Sequence, residues 1–356
     1  MQLDDFLKRF SGLTEEYRFY DGKVTLRYEV EKHRYLLLNS DGTLEEVPSV
    51  TQICHILDKS AALVPWSARQ MQIKLLKTCA PFKSQLPEGP GYIFPEKDFT
   101  QWIEEGKSAH KEQLEEAGDI GHTAHAWIEQ LIKAILAGNE SRKLELLAKL
   151  PENEKAANCC GAALSWMERH SVRWISTERK IYSRCFKYAG TLDGMCRASS
   201  CDDPKCCPEP FKDRLTLVDW KTSNYLYLEF KMQVSAYQRA WEEENGEIIE
   251  DIWILRLGKD TAEFDPWHIT SDEFFENWEG FEAALSLYHA VNTIKNRMTQ
   301  VQGTKRLQAK AERDRELAVK CSKSDRYKGC RPTTCNGTDH PCETCRKKYE
   351  DRHKSS

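Results

Sequence analysis

The chain has 356 residues, enough for one large domain with appendages or for two domains, and 40% hydrophobic with 30% charged residues reads as a globular protein in water. No apolar run reaches the roughly 18 residues of a membrane-spanning helix. The acidic start Met1-Gln2-Leu3-Asp4-Asp5 matches neither a secretory signal nor an arginine-rich transit peptide, so a cytoplasmic location is expected. The net charge of −4 is unevenly spread: residues Lys305 to Ser356 hold 15 Lys and Arg against 8 Asp and Glu, a net of +7, which leaves −11 on the rest. A basic tail on an acidic body fits a segment that contacts DNA, or a solvated charged helix.

In chain order, residues 16 to 47 alternate loosely in three runs, Tyr17 to Tyr20, Val24 to Val30 and Tyr35 to Leu38, with Asp21-Gly22 and Asp41-Gly42 as turns. Pro48 to Leu57 and Ala61 to Cys79 read as helices, and the proline-rich stretch from 81 to 95 as a loop. Phe99 to Glu116 and Ile120 to Ala137 read as two helices, stopped by Gly138-Asn139, and Glu152 to His170 as a third. The pattern then changes to strands at Trp174 to Tyr182, Tyr188 to Arg197 and Leu215 to Lys221. A helix follows from Tyr227 to Glu244, then strands at Ile249 to Leu257 and Glu263 to Ile269. Ser271-Asp272-Glu273 opens a long helix as a cap, with helical pattern to about Val319 and Gly303 as a point of interruption. This order predicts a mixed sheet with helices on its faces.

Chemistry concentrates in two of the strands. Gly190-Thr191-Leu192-Asp193-Gly194 and Val218-Asp219-Trp220-Lys221-Thr222-Ser223 each end an apolar run on an acidic residue. Side chains alternate along a strand, so Asp219 and Lys221 point the same way. Two carboxylates beside an ammonium can hold a hard divalent cation next to a positive group, an arrangement suited to phosphodiester hydrolysis. An Asp-x-Lys strand by itself is usually a solvated ion pair. Here it is preceded by Gly121-His122-Thr123-Ala124-His125 on a helix and followed by Gln233-Val234-Ser235-Ala236-Tyr237 on another.

This order of motifs resembles a RecB-type nuclease of the PD-(D/E)xK superfamily, in the branch that includes the mitochondrial genome maintenance exonuclease and many phage-encoded nucleases. The resemblance covers roughly residues 45 to 260. It implies an α/β restriction-endonuclease-like core. It also implies Mg²⁺ or Mn²⁺ bound by His125, Asp193 and Asp219 with the Trp220 carbonyl as a further ligand, and Lys221 as the catalytic lysine. Gln233 and Tyr237 would face the site or the DNA backbone. Glu178 matches an acidic position on the preceding strand, with a solvated glutamate as the alternative, and His122 lies on another helical face from His125. The implied activity is exonucleolytic, on single-stranded or end-exposed DNA in phage or bacterial replication, recombination or repair, with replication or recombination proteins as further partners. The alternatives are a structure-specific or nicking endonuclease on the same core, and a catalytically vestigial, zinc-containing DNA-binding protein.

One departure from the family pattern is the 25 residues between Asp193 and Asp219, which include a cysteine-rich insertion from 196 to 213. Fourteen cysteines in a chain without a secretory signal favour metal sites over disulfides. In the insertion, Cys196, Cys201, Cys206 and Cys207 are candidate zinc ligands, although neighbouring cysteines such as Cys206 and Cys207 rarely share an ion, and Cys185 is a substitute for one of them. In the tail, Cys330, Cys335, Cys342 and Cys345 form a second candidate zinc set, with Cys321 and His340 in reserve. An iron–sulfur cluster with Cys54 or Cys79 as a distant ligand fits the tail spacing poorly. The expected organisation is N-terminal strands and helices over 1–95, a nuclease core over 96–300 and a basic, cysteine-rich tail over 301–356.

Overall fold

A computed structural model describes residues 14–322 except 87 and 270. The tail cysteine set from Cys330 to Cys345, with His340, lies outside the described residues. The chain divides into two compact units, Met1–Ser286 and Leu287–Ser356, and the following concerns the first.

Four antiparallel strands come first: β1 (Thr14–Phe19), β2 (Val24–Glu29), β3 (Arg34–Leu38) and β4 (Leu44–Val47). The sequence shows three of them; β4, Leu44-Glu45-Glu46-Val47, is mostly exposed and carries no alternation of its own. A short helix α1 (Val50–Cys54) follows. It starts where the Ser49 side chain accepts from the Gln52 amide and the Gln52 side chain accepts from the Ser49 amide, a reciprocal cap. α2 (Ser60–Cys79) comes next, and the stretch expected to be a loop forms a small hairpin, β5 (Lys83–Leu86) with β6 (Gly89–Tyr92).

Helix α3 runs unbroken from Glu96 to Leu136, where two helices are expected. Gly118-Asp119 does not stop it. Gly118 faces open space and costs only about 1 kcal/mol of helix propensity, while burial of Gly106, Ala109, Ile120 and Ala124 on either side holds the register. α4 (Glu140–Ala148) and α5 (Glu154–Arg169) begin at Asn139 and Asn153, each capping with its side-chain oxygen.

The main sheet has the order β11-β10-β9-β8-β7, with β7 (Arg173–Ser183), β8 (Tyr188–Ala198), β9 (Arg214–Lys221), β10 (Asp251–Leu257) and β11 (Phe264–Ile269). Strands β7, β8 and β9 form an antiparallel meander. The crossover through α6 (Leu228–Asn245) makes β10 parallel to β9, and β11 returns antiparallel. Gly246, at φ 66, ends α6 in a left-handed conformation that suits glycine.

Alternation on β9 assigns the two faces. Val218 and Trp220 join a core with Trp166 of α5, Trp127 and Leu131 of α3, and Trp253 of β10, whereas Lys221 bonds to α6 on the opposite face. The N-terminal sheet packs on β7 and β8 through Phe19, Tyr35, Tyr182 and Ala189, so it belongs to the same compact unit. The last helix α7 (Ser271–Ser322) is continuous through Gly303, and its start packs Trp278 and Phe281 on Tyr188. Among the described residues, no helix is long and apolar enough to cross a membrane.

Candidate active site and metal centres

The β8–β9 ladder stops at Gly194↔Val218. Beyond it the backbone N–H of Trp220 donates to Asp193 Oδ2 at 2.8 Å instead of to a neighbouring strand. The strands therefore part at the point where Asp193 and Asp219 sit. On the other side, β7 lies in register with β8, Thr177 opposite Gly194 and Arg179 opposite Leu192, which sets Glu178 across from Asp193. Glu178 has φ 49, a left-handed conformation that costs a non-glycine residue roughly 1–2 kcal/mol. Thr177 Oγ1 donates to the Asp193 carbonyl at 2.9 Å and pins this crossing.

His125 comes from α3, with Nδ1 3.9 Å from Asp193 Oδ2. One ligand atom from each of His125, Glu178 and Asp193 lies within 4.8 Å of the others, a group able to hold a metal ion. Asp219 stands outside that triad and is engaged by Lys221, whose Nζ lies 2.6 Å from Asp219 Oδ2. That contact is a close ion pair in which both groups are largely buried. Lys221 Nζ donates to Gln233 Oε1 at 3.1 Å and lies 4.7 Å from the centre of the Phe230 ring. Gln233 Nε2 in turn donates to the Tyr237 hydroxyl at 2.7 Å.

Contacts between motifs account for their small residues. Thr222, just past Lys221, fills the space beside Gly121, one turn before His125; a Cβ on Gly121 would lie 2.8 Å from Thr222 Oγ1. The Tyr237 ring lies equally close to the position of a Cβ on Gly190. The glycines of the first two motifs thus receive side chains from the last two. Tyr237 is consumed by this packing: it is 3% exposed and faces β8 rather than an open surface. His122 is exposed and takes no part in the group.

The electrostatics follow from packing carboxylates together out of water. Burial pushes the Asp219 carboxyl up to about 6, against the pull of Lys221 and with Asp193 adding to the rise. Burial also raises Asp193, with Lys221 and the Trp220 amide pulling it back. Glu178 rises to about 7 through burial and the charges of Asp193 and Glu129. His125 falls to about 4, first through burial and then through the Lys221 charge, so its imidazole is neutral and free to donate a lone pair. Tyr237 is held well above its usual value by burial and stays a phenol.

This set fits a divalent cation. Three carboxylates at odds with one another and a neutral imidazole offer hard oxygen donors and one nitrogen.

The insertion forms a second group, of different membership from that expected. His170, Cys201, Cys206 and Cys207 lie with ligand atoms within 4.8 Å of one another and can hold a metal such as zinc. Cys196 is not among them; it points from β8 into the Trp166–Trp220 core and is fully buried there. Cys185 is exposed in the β7–β8 turn beside Glu243 and is not among them either. The adjacent thiols of Cys206 and Cys207 do converge, because both residues' backbone amides donate to the Asp203 carbonyl in a tight turn. His170 carries no spacing signature, since it lies 31 positions before Cys201 and is brought there by the end of α5. Cys54 and Cys79 are buried and belong to neither group.

No family model matches the chain, and no curated protein is significantly similar to it.

Proposed function

We propose that the chain is a metal-dependent DNA nuclease that hydrolyses phosphodiester bonds, with exonucleolytic action on single-stranded or end-exposed DNA. The observation that carries this reading is the meeting of His125, Glu178, Asp193, Asp219 and Lys221 where β8 and β9 part. A helix carrying His125, strands carrying Glu178, Asp193 and Asp219, and a helix carrying Gln233 and Tyr237 follow one another in the order of the motifs on which the resemblance to RecB-type nucleases rests.

His125, Glu178 and Asp193, with Asp219 beside them, are the residues that would hold Mg²⁺ or Mn²⁺. The ion would supply an activated water and neutralise charge on the phosphate. Lys221, fixed by Asp219, Gln233 and the Phe230 ring, offers its remaining N–H to a phosphoryl oxygen as negative charge develops there.

The test is incubation of the purified chain with end-labelled linear and circular single-stranded DNA, with Mg²⁺, Mn²⁺ or EDTA. Metal-dependent loss of the linear strand alone supports the exonuclease. Cleavage of the circle makes the enzyme an endonuclease on the same core. Absence of metal-dependent cleavage in wild type, or equal cleavage by Asp219→Asn, overturns the reading.

A further inference from the structure

We propose that His170, Cys201, Cys206 and Cys207 bind a single Zn²⁺ ion in a closed tetrahedral site, which fastens the β8–β9 connection to the C-terminal end of α5. This site shares no residue with the proposed nuclease centre and stands or falls independently of it.

The first argument is distance. His170 Nε2 lies 3.6 Å from Cys206 Sγ and 3.5 Å from Cys207 Sγ, and Cys201 Sγ lies 3.6 Å from Cys207 Sγ. With Zn–S near 2.3 Å and Zn–N near 2.0–2.1 Å, a tetrahedral ion places sulfurs about 3.8 Å apart and a nitrogen about 3.6 Å from each sulfur. The observed spacings match one ion. They leave no room for a multi-iron cluster, whose ligand atoms stand farther apart. They are also too long for a disulfide, whose sulfurs lie about 2.05 Å apart.

The second argument is the tautomer of His170. Its Nδ1 lies 2.9 Å from the Trp166 carbonyl, which can only accept. The proton is therefore on Nδ1, and the bare lone pair of Nε2 faces two thiols. A ligating histidine normally gives its other N–H to a carbonyl in this way, which fixes the ring for the metal. The ring is held further by Trp166, stacked at 5.1 Å between centroids, and by Trp253 at 4.9 Å edge-on. Without a metal, the single lone pair of Nε2 satisfies only one of the two S–H groups aimed at it.

The third argument is the backbone around the thiols. The Cys201 amide donates to Cys207 Sγ at 3.4 Å, the pattern of an amide supporting a thiolate. The loop closes on itself, with Ser200 N donating to the Phe211 carbonyl and Phe211 N to Ser200 Oγ. Ser199 N donates to the His170 carbonyl at 2.8 Å, so the loop base is already tied to the helix end. His170, Cys206 and Cys207 are all buried. With four protein donors and little exposure the site is closed, which marks a structural rather than a catalytic zinc.

What the ion would steady is the sheet that carries the carboxylates. Trp166, stacked on His170, meets Trp220 edge-on at 5.8 Å, and the Trp220 amide holds Asp193. The 15-residue stretch between Ala198 and Arg214 has little apolar surface of its own beyond Phe211, and a metal supplies the missing cross-link.

The test uses the full chain with Cys330, Cys335, Cys342 and Cys345 changed to serine, which removes the tail as a source of zinc. Elemental analysis after extensive dialysis should find one zinc per chain. Co²⁺ exchange should give the intense visible bands of a tetrahedral, thiolate-rich site. Adding Cys206→Ser or Cys207→Ser should remove the metal and the bands, while adding Cys185→Ser, an exposed cysteine outside the group, should leave both. If the Cys206 and Cys207 variants fail to fold, the parent chain still decides: one zinc with a three-sulfur, one-nitrogen cobalt spectrum supports the site. A folded parent without zinc or cobalt binding overturns it, as does full zinc content in a folded Cys206→Ser chain. Iron–sulfur absorption lost on Cys206→Ser overturns the assignment to zinc.

Discussion

Thr222 Oγ1 occupies the space that a side chain on Gly121 would need, 2.8 Å from the position of its Cβ. This contact joins the helix that carries His125 to the end of the strand that carries Asp219 and Lys221. Two motifs about a hundred residues apart are thereby one structural unit.

Gly121→Ala tests that contact. The helix gains about 1 kcal/mol of intrinsic propensity, so the thermal midpoint should hold or rise. The methyl group pushes Thr222 away and shifts His125 relative to Asp219, and a displacement of this kind should lower metal-dependent cleavage about tenfold or more. Adding Thr222→Ala removes the clash and should restore most of the rate. A double variant no faster than Gly121→Ala would show that the glycine serves something other than this approach.

Asp219→Asn and Lys221→Ala should each abolish cleavage while DNA binding persists. The first removes the charge that fixes the ammonium at 2.6 Å, and the second removes the ammonium itself. Either variant retaining more than about a tenth of the wild-type rate, a barrier change under ~1.4 kcal/mol, would place the chemistry elsewhere.

Glu178 gives a pH signature. Its carboxyl stands near 7 in the fold against an ordinary value of 4.5. Between those values the folded chain keeps a proton that the unfolded chain has released. Glu178 therefore withdraws stability as pH rises through that window, and the loss is complete above it. His125 acts in the opposite sense, since its value of about 4 lies below its ordinary 6.5: it withdraws stability as pH falls from 6.5 toward 4. Glu178→Gln keeps His125 and removes the first effect. In metal-free buffer, its melting temperature relative to wild type should therefore rise between about pH 5 and about pH 8. Mn²⁺ should raise the wild-type midpoint at the higher pH and raise that of Glu178→Gln much less. A pH-independent difference, or an equal response to Mn²⁺, would remove Glu178 from the ligand set.

The legibility of this site in the sequence has a physical reason. Asp219 and Lys221 obey the two-residue period of a strand, and Gln233 and Tyr237 the near-four-residue period of a helix, so local spacing already sets which side chains share a face. Glu178 is legible in the sequence only through the resemblance, as an acidic position on the preceding strand; its left-handed backbone and its position across from Asp193 are tertiary facts. His170 was invisible as a ligand, because it reaches the cysteines only through the packing of α5 on the sheet. Cys196 failed for the converse reason: it is near the other cysteines in sequence, but strand alternation turns it into the core. The continuous α3 shows burial on both sides of Gly118-Asp119 overriding a local stop signal.

Gln233 and Tyr237 should separate by their distance from the reacting groups. Gln233 Oε1 accepts from Lys221, whereas the Tyr237 hydroxyl accepts from the other end of the Gln233 amide. Gln233→Leu leaves the ammonium with Asp219 and the Phe230 ring as its remaining restraints and frees it to swing. Single-turnover cleavage at saturating metal should fall about tenfold, with DNA binding little changed, as expected when a catalytic group loses its orientation. Tyr237→Phe keeps the ring against Gly190 and loses one hydrogen bond worth about 1 kcal/mol, so its rate should stay within a few-fold of wild type. The thermal midpoint should drop slightly in both variants. If Tyr237→Phe is as inactive as Lys221→Ala, the phenol acts on the substrate directly and the site extends deeper along α6 than the Lys221–Gln233 pair. If Gln233→Leu is fully active, Asp219 and the Phe230 ring suffice to hold the lysine, and the Gln233 amide plays no part in orienting it.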